Sequence, residues 1–100
     1  MPKAIRIHSH GGPEVLKWED VEVGDPGEGE VRLTLKAAGL NFIDCYQRSG
    51  LYPMELPLTL GAEGVGVINR IGPGVTNLSE GQRVAYSGGQ IGSYAEERLI

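Results

Sequence analysis

The sequence predicts an all-β domain, a small barrel or a sandwich, of six or seven short strands with one helical turn among them. Three observations carry that expectation. Residues 31–37, VRLTLKA, alternate apolar and polar side chains without a break, which is the period-two signature of a strand with one buried face. Sixteen glycines and six prolines in one hundred residues supply many turns. Between those turns lie short runs of β-branched and apolar residues, each the length of a strand.

Taken in order, KAIRIH (3–8) alternates, with Ile5 and Ile7 expected on one face and Arg6 and His8 on the other. Gly11, Gly12 and Pro13 make a turn, because glycine accepts positive φ and proline fixes the dihedral that follows. Val15 to Val23 is the second strand expected, closed by the GDPGEGE turn. In VRLTLKA, Val31, Leu33 and Leu35 should face inward and Arg32, Thr34 and Lys36 face water. GLNFIDCYQRSGLYP then breaks the pattern. Asn41 is placed to cap a short helical turn over Phe42 to Arg48, with Gly50 ending it.

LYPMELPL carries Pro53 and Pro57 and reads as an extended loop. LGAEGVGVINRIGPGV mixes β-branched residues with glycines, as a strand does where another backbone comes close. GPGVTNLSEGQ is a turn-rich connector, RVAYSG a short strand, and GSYAEERLI a last strand. That strand meets the end of the sequence without a stop signal, so the chain is expected to be a piece of a longer one.

The length suits a single domain, residues 1–100, with a core of its own. A net charge of −4, with six Arg and three Lys scattered singly, argues against nucleic acid or an anionic membrane surface as partner. No segment has the length of a signal peptide core or a membrane span. Cys45 is the only cysteine, which excludes an internal disulfide and a Cys-rich zinc module. The expectation is a cytoplasmic protein.

Catalytic zinc needs three converging ligands at about 2.0–2.3 Å, and His8 and His10 have no third partner nearby in sequence, so they are expected to face solvent at a strand end. Cys45 has no neighbouring His or Lys and is expected to be a small packed residue. GAEGVG spaces its glycines as G-x-x-G-x-G, not as the dinucleotide fingerprint, and no helical pattern follows. Tyr46 and Tyr52 lie near glycines on a turn-rich stretch, where a phenol offers a ring face and one hydroxyl. Glu63 falls in an apolar run where a carboxylate needs a partner, Arg48 being the expected one.

Four stretches, GGPEVLKWEDV, GEVRLTLKAAGLNFIDCYQRSGLYP, LGAEGVGVINRIGPGV and EGQRVAYSGGQIGSYAEE, together resemble the N-terminal domain of quinone oxidoreductases of the zeta-crystallin type. These are zinc-free members of the medium-chain dehydrogenase/reductase superfamily. The resemblance covers nearly the whole chain. In the zinc alcohol dehydrogenases a catalytic Cys begins a C-x-x-D piece, where this sequence has Asn41. Their zinc-binding His falls in G-H-E-x-x-G, where this sequence has Ala62. The cysteine-rich lobe of those enzymes has no counterpart in GQIGSYAEE.

The resemblance implies a GroES-like, partly open β-barrel with one or two short helical turns, packed against a Rossmann domain that lies outside these residues and binds most of the NADPH. It implies a quinone substrate, no metal, and a homodimeric full-length enzyme. On it, Asn41 is expected to be catalytic and near the cofactor, Tyr52 catalytic, Tyr46 cofactor-binding, and Tyr46, Tyr52 and Glu63 to line the substrate cleft. Asp44 and Arg48, four residues apart, are expected to brace the loop. The alternatives are a 2-enoyl thioester or alkenal reductase, a zinc alcohol dehydrogenase, and a non-catalytic GroES-like interaction module.

Overall fold

A computed structural model describes residues 1–100. Seven strands run in the order β1 (Lys3–Ile7), β2 (Lys17–Asp20), β3 (Val31–Ala38), β4 (Leu58–Thr59), β5 (Glu63–Ile71), β6 (Arg83–Ser87) and β7 (Glu97–Leu99). A single 3₁₀ turn, Pro13–Val15, precedes β2, and one α-helix, α1 (Phe42–Ser49), follows β3. The strands form two antiparallel sheets, β2-β1-β4 and β6-β5-β3-β7. They meet at one seam, where Ala4 bridges Ala95 and Ile5 N–H donates to the Tyr94 carbonyl at 2.7 Å. No ring of strands closes, so the expected mainly-β, partly open architecture is what the chain adopts.

The long β3–β5 ladder is the spine, running from Val31↔Ile71 to Ala38↔Gly64, with register shifts at Arg32/Leu33 and Leu35/Ala37. Gly66 explains how the two backbones come together there: a Cβ would meet the Thr34 carbonyl oxygen at 2.7 Å. The core under this sheet is Val31, Leu33 and Ile68, with Leu35, Val84 and Tyr86 against it. Full burial of each such aliphatic side chain contributes about 1.5–3 kcal/mol. Under the smaller sheet, Ala4, Ile7 and Leu60 are buried. No helix is long and apolar enough to cross a membrane.

Several sequence expectations are corrected. The strand expected over Val15–Val23 shrinks to Lys17–Asp20, because Pro13–Val15 coil into the 3₁₀ turn and the ladder ends where Val21 N–H meets the carbonyl of Pro2, which has no N–H to return. In β1 the deepest residues are Ala4 and Ile7, with Ile5 only half-buried. Ala4 and Ile7 have opposite parity, so each face of the strand is covered at one point and neither is wholly wet or dry. Leu35, expected inward, packs against the core but is only half-buried. Two residues of the expected loop at 51–58 and its border, Leu58 and Thr59, pair with Ile7 and Arg6 as β4.

Candidate functional site

The stretch that broke the strand pattern is the element around which the chemistry-bearing residues gather. Asn41 has extended dihedrals (φ −133°, ψ 154°) and opens α1, and Gly50 closes it at φ 90°, left-handed as a glycine cap allows. Asp44 sits three residues after the cap. Its Oδ2 accepts the Asn41 backbone N–H at 3.1 Å. In the reciprocal half of this capping box the Asn41 side chain faces the Asp44 N–H, which also donates to the Asn41 carbonyl at 3.1 Å. No hydrogen bond of full geometry reaches the Asn41 side chain, and the residue is exposed.

The helix is inverted in polarity. Its buried residues are Asp44 and Gln47, whereas Phe42 is 83% exposed and Ile43 and Tyr46 also face outward. Tyr52 folds back onto Tyr46, edge to face with centroids 5.6 Å apart, and its N–H donates to the Tyr46 carbonyl at 3.2 Å. Eight of the eleven large apolar side chains that stand exposed lie between Leu40 and Leu56. Such a concentration marks a contact surface rather than ordinary scatter.

What holds the polar underside of α1 is Tyr94, from the segment leading into β7. Its hydroxyl bonds Asp44 Oδ2 and also reaches the Gly39 carbonyl at 3.3 Å. Partial burial raises the Tyr94 pKa well above the usual phenol value, and the hydrogen bond to Asp44 and the charges of Asp44, Cys45 and Glu63 push the same way. Tyr94 is therefore a neutral donor. Sequence reading missed it, taking GSYAEE only as a strand; the available signal was that a Tyr beside small residues in a half-buried strand needs a hydroxyl partner.

Asp44 and Arg48 each brace the helix, but not through one another. Arg48 Nε donates to the Gly11 carbonyl at 3.1 Å, and Gly11 N–H returns to the Arg48 carbonyl at 3.0 Å. The expected Glu63–Arg48 ion pair does not form. Glu63 is half-buried at the start of β5, and its side chain lies across Gly39 in the space a Cβ there would need. It borders a shallow pocket of about 360 Å³ with Ala38, Gly39, Gly64, Ala85 and Tyr86. Cys45 is exposed, not packed, because the helix turns it to the outer side, with Arg48 Nη1 3.9 Å from its sulfur. His8 is exposed and bonds Glu19 at 2.6 Å. His10, expected to face solvent, is half-buried with its ring against Gly50.

Of the residues expected in the site, Asn41, Tyr46 and Tyr52 thus share the exposed α1 region, and Glu63 joins it through Gly39. Residues 27–99 match the family described as the alcohol dehydrogenase GroES-like domain. The chain belongs to that family.

Within it, the chain is 50% identical over its whole length to the quinone oxidoreductase of Pseudomonas aeruginosa, of which it spans 31%. It is 44% identical over 99% of its length to a 2-haloacrylate reductase of a Burkholderia species, spanning 31% of that protein. Its fold superposes on the crystal structure of Escherichia coli quinone oxidoreductase complexed with NADPH with a TM-score of 0.94 and 43% identity, covering 98% of this chain and 30% of that one. The GroES-like domain described here therefore spans just under a third of the relatives it matches.

Proposed function

We propose that residues 1–100 form the substrate-side domain of an NADPH-dependent quinone oxidoreductase that works without zinc. The observation that carries this reading is the exposed α1 surface. A helix that turns Phe42, Ile43 and Tyr46 outward, with Asn41 exposed at its tip, needs a partner surface and a ligand to cover it. The 50% identity to a quinone oxidoreductase across the full chain supplies the class.

NADPH, when bound, supplies the hydride, and the protein supplies orientation and electrostatics. The residues present fit one wall of such a site. The Asn41 carboxamide donates to the quinone oxygen on which negative charge develops, an interaction worth about 2.7–4 kcal/mol in favourable cases. Tyr46 and Tyr52, locked edge to face, present ring surface to the nicotinamide and substrate, and the Tyr52 hydroxyl is a second donor. Glu63 borders the cleft. A quinone is already strongly electrophilic, so these donors suffice without a Lewis acid. The donor set does not fit a three-ligand zinc: an amide stands at 41 and a methyl group at 62, and no three His, Cys, Asp or Glu side chains converge.

The test is NADPH oxidation by 1,4-benzoquinone with the full-length protein and its Asn41→Ala and Tyr52→Phe variants. Both variants fold and lose turnover, Asn41→Ala by about 10²-fold or more in kcat; unchanged kcat/KM in both removes these residues from the reaction. The likeness to a 2-haloacrylate reductase favours a second reading, reduction of an activated alkene in the same cleft. Faster turnover of 2-chloroacrylate or a crotonyl thioester than of benzoquinone would select it. We place the enzyme in the cytoplasm as a homodimer, the latter to be checked by its mass in solution.

A further inference from the structure

Arg98 is the only buried arginine of the six, 7% exposed, and no carboxylate oxygen lies within ion-pairing distance of it. Its acceptors are all neutral. Nε donates to the Leu99 carbonyl at 3.1 Å, and Nη1 donates to the Tyr86 hydroxyl at 3.2 Å and the Gln90 carbonyl at 3.3 Å. The guanidinium carbon also stands 5.2 Å from the Tyr86 ring centroid. A guanidinium has five N–H donors, and the two on Nη2 bond nothing within the chain and open to solvent. Gly92 packs against this guanidinium, and a Cβ there would make only ordinary contact, at 3.4–3.6 Å from Cζ, Nη1 and Nη2.

Arg98 lines an open groove of about 920 Å³ on the side of the domain formed by β1, β4 and β7. Gln47, also 7% exposed, lines the same groove from the inner side of α1, and its Oε1 is buried without a donor. The groove therefore presents one unneutralised cation and one unfilled acceptor, and buried charge is retained when it is paired. The other cation there, Arg6, already faces Glu19 at 3.0 Å, and Glu22 and Glu97 stand along the lining. One available positive charge among carboxylates suits a monoanion and disfavours phosphate, which calls for clustered positive charge.

We propose that this groove is a carboxylate-binding site in which Nη2 of Arg98 takes the anion. It is separate from the exposed face of α1 and does not depend on the reductase reading. The carboxylate has two sources, a free small acid or an Asp or Glu side chain from polypeptide beyond these residues.

The test follows Tm of the full-length protein in sodium glycolate, sodium acetate and sodium chloride at matched ionic strength, for the natural chain, Arg98→Met and Arg98→Lys. A free-acid ligand gives a saturable rise of several degrees in the two carboxylates and none in chloride. That rise is lost in Arg98→Met and reduced in Arg98→Lys, which keeps the charge without the fork. A carboxylate from the chain itself leaves Tm flat in every salt, and the full-length structure then has an Asp or Glu oxygen within hydrogen-bonding reach of Nη2. Flat Tm together with an Nη2 that meets only water or neutral carbonyls overturns the proposal, as does an equal response to chloride. The natural chain alone decides this if the variants fail to fold.

Discussion

At position 94 a phenol is held between a carboxylate and a carbonyl, and its environment makes a pH prediction with a definite sign. The folded pKa lies above the unfolded one, so the unfolded chain loses this proton first as pH rises. The stabilisation is whole below the ordinary phenol value of about 10 and falls away above it. Alkaline unfolding followed from pH 9 to 11 should therefore show a steeper loss of stability in the natural chain than in Tyr94→Phe (a pH range spanning the unperturbed value). At neutral pH the same variant loses about 1–3 kcal/mol, because Asp44 is left buried with one fewer donor while its Oδ1 already has none. Chemical denaturation measures it. This tie between residues 44 and 94 could not be read from sequence, since it joins positions 50 apart. Asn41 as a helix cap could, because capping depends on neighbours only three residues away.

The helix shows the same division between local and distant causes. Its limits, Asn41 and Gly50, follow from cap chemistry and were visible in NFIDCYQRSG. Its polarity was not: which face is buried depends on Tyr94 and on Gly11, both supplied from elsewhere. Gly50 carries two demands at once, a left-handed φ of 90° and the His10 ring within 3.1–3.2 Å of where a Cβ would be. Gly50→Ala should cost about 1–2 kcal/mol for the dihedral alone, and more for the clash. Gly24→Ala, at φ 74° with open space around it, is the control. Equal losses of Tm in the two would show that the His10 contact carries no strain.

For the whole domain, β1 and β3 were both legible as strands. Which side chains go inward was legible only where one face meets the core, as in β3, and not in β1, where Ala4 and Ile7 of opposite parity are both buried. Pairing order was not legible, because period-two alternation says nothing about which strand lies alongside. The two classes of apolar residue should behave oppositely when truncated. Leu33→Ala, at 0% exposure, should lose about 2–5 kcal/mol. Phe42→Ser, at 83% exposure, should stay within about 0.5 kcal/mol in thermal unfolding of the isolated domain. A large loss from Phe42→Ser would mean that the α1 surface belongs to the domain's own core and not to a contact made outside it.

The seam between the sheets has a kinetic side. Lys3 N–H reaches the Glu96 carboxylate, and the backbone partners beside it are just as remote, so the first strand waits for the last segment. Loop-closure entropy must be met before that junction rewards it, which slows the search. On a ribosome the opening β-strand emerges early and stays unzipped along that margin until nearly all of the domain has been synthesised, leaving a bare β-edge for chaperones to guard.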